Sequence, residues 1–108
     1  MAEMSSSALT EAVYYILLAL HQPMHGYGIM QCVQALSHGR VSLGAGTLYG
    51  ALSTLVQKGW IAPCGGESGD RKKEYTITTQ GRNAVEAEIS RLEELLDNGR
   101  AVTGGTEQ

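Results

Sequence analysis

The sequence predicts one small α+β domain that is mainly helical, and three observations in its 108 residues indicate that class. Four stretches repeat apolar residues at the three- and four-residue spacing of an amphipathic helix. Two short strand-like segments, 61–64 and 73–78, are separated by a glycine-rich turn, as in a β-hairpin. The composition, 43% hydrophobic and 18% charged, is that of a folded chain with a single core of modest size.

The first helix is expected from about Thr10 to Leu20, after polar residues 1–8 that we expect to be flexible. Thr10 can cap this helix, and Glu11 would lie near the positive end of its dipole. Pro23 marks the loop that follows. The apolar stripe of this helix consists of Leu9, Val13, Ile16, Leu17 and Leu20.

The second helix is expected from His25 or Gly26 to Ser37, and Gly39 is a suitable C-terminal stop. After it, Val41–Leu43 alternates apolar and polar residues. This segment is too short to form a sheet alone. We therefore interpret it as the third strand of a small sheet.

The third helix is the most informative segment of the chain. It is expected from Gly44 or Ala45 to Lys58, with Gly59 as its stop signal. Its apolar stripe consists of Leu48, Leu52, Leu55 and Val56. The residues that point elsewhere near its start are Thr47, Tyr49 and Gly50. A slim helix with small residues at its exposed N-terminus fits a DNA major groove.

The hairpin is expected to comprise Ile61 to Cys64 and Lys73 to Thr78, joined by a turn at 65–70. Thr78 or Thr79 would then cap a last helix over residues 79–98, with apolar residues spaced by four, three and four. These residues are Val85, Ile89, Leu92 and Leu96, with Leu95 beside them. Residues 99–108 are glycine-rich and are expected to be a disordered tail.

The order of these elements is that of a winged helix-turn-helix, with residues 9–78 as a DNA-binding domain and residues 79–98 as a dimerisation helix. The terminal helices have more apolar surface than one three-helix core can cover. A two-fold partner is the most economical way to bury it. The residues expected at this contact are Leu9, Val13, Leu17, Val85, Ile89, Leu92, Leu95 and Leu96. A homodimer would space two reading helices for a palindromic operator.

The net charge of −3 conceals a segregated distribution. Residues 1–39 contain two acids and no Lys or Arg, and residues 83–108 contain six acids and two basic residues. Residues 40–82 contain six basic residues against three acids. Positive charge is therefore concentrated in the segment expected to contact double-stranded DNA, as phosphate binding requires.

The residues expected to contact DNA come from the third helix and from the wing, which is the hairpin with its turn. Thr47 can bond a phosphate or a base edge, and Tyr49 can donate to a phosphate; alternatively Thr47 caps its helix and Tyr49 packs against the wing. Gly50 either permits close approach or is a neutral surface position. The wing cations, which either neutralise phosphates or form a solvated turn, are Arg71, Lys72 and Lys73. Arg40 and Lys58 are further candidates.

Several stretches, in this order and at this spacing, resemble the PadR family of bacterial transcriptional regulators. Within residues 9–97 they are Leu17–Leu20, His25–Ile29, Gly46–Leu52, Gly59–Ile61 and Arg71–Thr78, with Gly81. The resemblance implies a homodimeric winged-helix repressor, often of a neighbouring detoxification or efflux operon, that a small effector releases. The last helix resembles that of the family's small subgroup. Many members have Ser-Pro where this chain has Gly44-Ala45, so any cap at that helix start is weaker or formed by backbone alone.

The resemblance also bears on the aromatic residues. It implies that Tyr27 packs within the core and helps to orient the reading helix. Some relatives stack a planar ligand on a tryptophan of the last helix, but Trp60, the single tryptophan here, follows the third helix. Tyr14 and Tyr15 remain near the expected dimer cleft, and at most one of them is expected to face a cavity there. A small aromatic effector is the ligand that such a cleft would accept.

Other classes of function lack support in the sequence. No apolar run is long enough to span a membrane and no signal peptide is recognisable, so we expect a cytoplasmic protein. His21, His25 and His38 lack metal-ligand spacing, and we expect no cofactor. Cys32 and Cys64 are expected to be free thiols. Without a nucleophile–base pair, paired carboxylates or a phosphate loop, we do not expect an enzyme. The alternative function is a winged-helix protein-interaction module without DNA binding.

Overall fold

The computed structural model describes residues 8–65 and 73–104, which form four helices and a three-stranded antiparallel sheet. The elements in chain order are α1 (Glu11–Ala19), β1 (Met24–His25), α2 (Gly26–Leu36), α3 (Ala45–Lys58), β2 (Ile61–Cys64), β3 (Glu74–Ile77) and α4 (Thr79–Thr103). This is a winged helix-turn-helix, with α2 and α3 as the helix pair. The expectations for residues 1–7, 66–72 and 105–108 lie outside the described residues.

Each helix begins close to its expected residue, and the first three also end close to theirs. Side chains cap three of them through Thr10 (3.1 Å from the Val13 nitrogen), His25 (3.3 Å from Gly28) and Thr78 (3.1 Å from Gly81). α3 begins after Gly44 without a side-chain cap, in agreement with the absence of serine there. It ends at Gly59, whose φ of 80° is the left-handed conformation that glycine adopts without strain.

The third strand differs from the prediction. It is Met24–His25, which pairs with β3 and gives the strand order β1-β3-β2. Val41–Leu43, the segment predicted to form this strand, has irregular backbone. The Val41 amide donates to the Ser37 hydroxyl at 3.0 Å, so its hydrogen bond is made locally rather than in a sheet. The alternation of Val41 and Leu43 reflects half-buried side chains that pack on the core.

The core lies among the first three helices, with Ile61, Ile77 and Val85 packed against it from β2, β3 and α4. Its largest fully buried side chains are Ile16, Leu17, Leu20, Ile29, Val33, Leu48, Leu52, Leu55 and Ile61. The apolar stripe predicted for α3 therefore faces the core through its leucines. This packing fixes the orientation of α3 and leaves its opposite face to solvent.

α4 is longer than expected, because it continues for 25 residues to Thr103 instead of ending near residue 98. Residues 99–103, which we expected in a disordered tail, are helical. At about 1.5 Å per residue the helix extends roughly 37 Å, and its buried residues all lie in the first half. The second half therefore projects beyond the core. In the part of the chain that the structure describes, no helix is both long and apolar enough to cross a membrane.

Candidate nucleic-acid interface

The start of α3 is a solvent-facing surface on a helix that the core holds in place. Thr47 and Gly50 are exposed, and Tyr49 is exposed over half of its surface. Gly44 occupies the N-cap position, so the alternative in which Thr47 caps this helix is wrong. A Cβ added at Gly50 would meet no neighbouring atom of the described residues within 4 Å. A partner could therefore approach the α3 backbone closely at this point.

Tyr49 packs against the start of α2. A Cβ built on Gly26 would lie 2.8 Å from Cζ of the Tyr49 ring and closer still to its hydroxyl. Gly26 is buried, because the phenol of Tyr49 covers it. The ring thus joins the first turn of α2 to the second turn of α3, and its exposed half is available to a partner.

Tyr27 lies on the surface, so the expectation that it packs within the core is wrong. It is 63% exposed, and its hydroxyl accepts a hydrogen bond of 3.3 Å from the amide of Gln31, one turn along α2. The buried face of α2 is set by Ile29 and Val33, which are four residues apart. Tyr27, two residues before Ile29, falls on the opposite side of a helix with 3.6 residues per turn.

The segment that contains both helices carries no acidic residue. Between Glu11 and Glu67 the sequence has neither Asp nor Glu, and its charged side chains there are Arg40 and Lys58. One acid, Glu74, lies nearby on β3, where its backbone pairs with that of His25. The outer faces of α2 and α3 therefore lack the carboxylates that would repel a phosphate backbone.

Arg40 and Lys58 each contact a residue outside the α3 start. The Arg40 guanidinium forms a bidentate ion pair with Glu11 of α1, with nitrogen–oxygen distances of 2.9 and 3.1 Å. Lys58 lies at the C-terminal end of α3, with its ammonium 5.0 Å from the centroid of the Trp60 ring. It is about 16 Å along the helix axis from Thr47. Arg40 is therefore engaged by Glu11, and Lys58 lies apart from the residues at the α3 start.

The wing contributes one cation that the structure describes. Lys73 is exposed immediately before β3, and β2 and β3 pair from Ile61 opposite Ile77 to Cys64 opposite Glu74. Lys73 thus lies at the tip end of the wing. Arg71 and Lys72, the other expected wing cations, lie outside the described residues.

The apolar surface predicted for the terminal helices is present only in part. Leu17 and Val85 are buried in the protomer's own core and cannot contact a partner, which corrects their assignment to the dimer contact. Leu9, Val13 and Ile89 are half-buried against that core. Exposed apolar side chains lie farther along α4, at Leu92, Leu95, Leu96 and Val102. The unpartnered surface is thus the projecting half of α4.

A groove of about 320 Å³ lies between α1 and the middle of α4. Tyr14 and Tyr15 both line it, so the expectation that at most one of them faces a cavity is wrong. Their rings meet edge to face, with centroids 5.9 Å apart. An edge-to-face arrangement is a favourable contact between aromatic rings. The other lining residues are Leu9, Glu11, Glu88, Arg91 and Leu92.

Glu88 is a buried charge at this groove. The Arg91 guanidinium donates to both carboxylate oxygens of Glu88, one bond being 3.0 Å, and the Leu9 amide donates to the same carboxylate at 3.3 Å. The hydrogen bonds from Arg91 lower the pKa of Glu88 and outweigh burial, which would raise it. The same pairing raises the pKa of Arg91. The ion pair, which lies within α4, therefore keeps both groups charged. The hydrogen bond from Leu9 joins the residues just before α1 to this carboxylate.

Comparison with known proteins identifies the family. The model of the transcriptional regulator PadR-like family matches residues 15–87, about two thirds of the chain. The chain belongs to the PadR-like family. The matched region extends from α1 through the wing into the first half of α4 and includes every residue described above at the start of α3. This is a family of transcriptional regulators and not of enzymes, in agreement with the sequence analysis.

Solved structures of transcriptional regulators show the same fold. A PadR-like transcription factor from Bacteroides fragilis superimposes with a TM-score of 0.68 at 25% identity, over 83% of this chain and 87% of that one. A PadR family transcription regulator from Clostridium difficile R20291 gives a TM-score of 0.64 at 24% identity, over 87% of this chain and 98% of that one. A transcriptional regulator from Clostridium thermocellum gives a TM-score of 0.66 at 22% identity, over 86% of this chain and 88% of that one.

A longer protein contains a similar segment. An uncharacterised 37.1 kDa protein of transposon Tn4556 from Streptomyces fradiae is 35% identical over 86 residues. These residues make up 79% of this PadR-family chain but 24% of that protein. The chain therefore spans about a quarter of the length of this relative.

Two features of this candidate interface were not predicted from the sequence. Tyr27 was placed in the core, although the spacing of Ile29 and Val33 on α2 places it on the outer face. The second is the acid-free segment between Glu11 and Glu67, which the sequence alone shows. The Tyr49–Gly26 contact has no such signal, because it depends on the angle between α2 and α3.

Proposed function

We propose that this chain is a homodimeric DNA-binding repressor of transcription that acts on a palindromic operator. The observation that carries the proposal is the exposed start of α3, with Thr47, Tyr49 and Gly50 on an outer face that lacks acidic residues. A rigid helix of this kind can enter a major groove without electrostatic repulsion. Membership of a family of transcriptional regulators supports the same function.

In the proposed complex, α3 reads the major groove and the wing holds the flanking backbone. Thr47 forms a hydrogen bond with a base edge or a phosphate, and Tyr49 donates to a phosphate. Gly50, which has no side chain, allows α3 to approach the floor of the major groove. Arg71, Lys72 and Lys73 neutralise phosphates from the wing. Arg40 and Lys58 contribute less, because one is paired with Glu11 and the other lies at the far end of α3.

The second half of α4 forms the proposed dimer contact. Leu95 and Leu96 lie three and four residues after Leu92, and Val102 lies seven residues after Leu95, which is the spacing of a helix face that packs on another helix. Two chains joined by this surface would present two α3 helices related by a two-fold axis. A palindromic operator has the same symmetry.

Repression would follow from occupancy of the operator, in the cytoplasm of a bacterial cell. Release by a small aromatic effector is part of the proposal, and the groove beside Tyr14 and Tyr15 is the place that would accept it. A ligand there would contact α1 and α4 together. By changing the angle between these helices it would misplace the second reading helix.

The test is a gel-shift titration of the full chain against the intergenic DNA upstream of its own coding sequence, at several salt concentrations. We expect tight binding whose affinity falls steeply as the salt concentration rises. The triple variant Arg71→Ala, Lys72→Ala, Lys73→Ala should reduce the slope of log affinity against log salt concentration by about 0.9 for each lost phosphate contact. An unchanged slope would remove the wing from the mechanism. Absence of binding to any duplex would favour the protein-interaction module instead.

A further inference from the structure

The outer face of α2 carries a hydrogen-bonded pair that the core does not use. Tyr27 and Gln31 are both exposed, and the Gln31 amide donates to the Tyr27 hydroxyl at 3.3 Å. Since this hydroxyl accepts from Gln31, its own hydrogen is directed elsewhere and can be donated outward. An acceptor that approached this face would meet a phenol already held in place by its neighbour.

This pair adjoins the start of α3. Tyr27 follows Gly26, and the Tyr49 ring lies on Gly26. The Tyr27–Gln31 pair therefore begins one residue after the glycine that the Tyr49 ring covers, at the end of α2 that contacts α3. Because α3 enters the major groove in the proposed complex, α2 would cross the sugar-phosphate backbone at the edge of that groove.

We propose that Tyr27 and Gln31 form a contact to the DNA backbone, with the Tyr27 hydroxyl donating to a phosphate oxygen and Gln31 positioning the ring. This inference rests on the proposed function. The contact is uncharged, so it fixes the depth and angle of α3 without releasing additional counterions. It differs in this respect from the wing, whose cations act by charge.

The absence of acids from the surrounding sequence favours a phosphate as the ligand. The stretch from residue 12 to residue 66 has no carboxylate, and α2 itself has no charged residue. The phenol and the amide on this surface offer hydrogen-bond donors, and the stretch has no carboxylate that would attract a cation. Phosphate oxygens are acceptors only, which matches the outward hydroxyl hydrogen.

The decisive variant is Tyr27→Phe, which keeps the ring and removes the donor. We expect a three- to tenfold loss of affinity for the upstream intergenic duplex and for a scrambled duplex of equal length, with an unchanged log–log salt slope. Gln31→Ala should lower DNA affinity by about two- to threefold. The double variant with both substitutions should bind DNA little more weakly than Tyr27→Phe alone, because Gln31 acts through the tyrosine. Gln57→Ala, at an exposed glutamine near the far end of α3, is the matched control and should bind as the wild type does.

Three results would overturn the inference. Unchanged DNA affinity of Tyr27→Phe, while the wild type binds, would refute this contact and leave the proposed function intact. A loss confined to the intergenic duplex would show base readout instead of a backbone contact. Failure of the wild type to bind either duplex would refute the proposed function and, with it, this inference. Circular dichroism melting should give the same transition for Tyr27→Phe and the wild type, because the altered hydroxyl is exposed.

Discussion

The phenol of Tyr49 on α3 lies over the Cα of Gly26 on α2, in the space that a Cβ would need. The substitution Gly26→Ala should push the ring outward, because the clash is with the end of a side chain that can rotate. We expect a small loss of stability, about 1 kcal/mol, together with a clear loss of DNA affinity. Urea denaturation and gel-shift titration measure the two effects separately.

The control for this variant is Gly28→Ala, two residues along α2. There a Cβ would meet the Met24 Cβ at 3.5 Å, which is ordinary contact. Alanine should be tolerated or slightly stabilising by virtue of its helix propensity, and DNA binding should not change. If Gly26→Ala bound DNA as tightly as Gly28→Ala does, the position of the Tyr49 ring would be irrelevant to binding.

A second close approach joins α4 to the wing. A Cβ on Gly81 would collide with the carbonyl oxygen of Trp60 and lie 2.7 Å from Cγ1 of Ile77. The obstacle here is backbone, which cannot rotate away. We therefore expect Gly81→Ala to lower the free energy of unfolding by roughly 2–3 kcal/mol.

The matched control for Gly81→Ala is Gly46→Ala on α3. Among the described residues, nothing lies within 4 Å of a Cβ at Gly46. Alanine there should stabilise the protein by about 0.5–1 kcal/mol through helix propensity. Equal unfolding free energies for the two variants in urea would contradict the packing assigned to Gly81.

The helices could be predicted from the sequence because their signals are local. The cap at Thr10, the stop at Gly59 and the spacing of Leu48, Leu52 and Leu55 depend on residues within a few positions of one another. The strand Met24–His25 could not be predicted in this way. Two residues are too few to show a period, and their pairing depends on β3, which lies about 50 residues away.

The candidate site was predictable in composition but not in arrangement. The exposed residues at the start of α3 follow from the helical period, since each is out of phase with the buried leucines. The packing of Tyr49 on Gly26 depends on how two helices cross, and the groove beside Tyr14 depends on where α4 passes α1. The periodicity of α4 also did not show which of its apolar residues the protomer buries itself.

Protonation of Glu88 should couple stability to pH. Its pKa is lowered in the folded state, chiefly by the hydrogen bonds from Arg91. The stabilisation is therefore present above the unfolded pKa of a glutamate, about 4.3, and is lost as the pH falls through the lower folded value. The difference in melting temperature between the wild type and Glu88→Gln should be largest near neutral pH and shrink below about pH 4.

Glu86→Gln is the control, because Glu86 is exposed on the same helix two residues away. It should change the melting temperature little at any pH, since exposed charges contribute little to stability. All melts require one protein concentration, because association would shift the transition. A wild-type advantage over Glu88→Gln that stayed constant down to pH 3 would contradict the proposed coupling.

The projecting half of α4 should determine the oligomeric state. Leu95 and Leu96 are exposed over 53% and 52% of their surfaces, and neither belongs to the core. Replacing both with Asp would place two charges in the proposed helix contact, where burial of unpaired carboxylates costs several kcal/mol. We expect the wild type to sediment as a dimer at micromolar concentration and the double variant as a folded monomer with weakened DNA binding.

Leu36→Asp tests whether this effect is specific to α4. Leu36 is 44% exposed and lies at the end of α2, not on α4, the helix proposed to form the dimer contact. It should leave the sedimentation coefficient of the dimer unchanged, because its new charge remains in water. A monomeric wild type, or loss of the dimer in Leu36→Asp to the same degree, would show that exposed leucines on α4 do not form the contact between subunits.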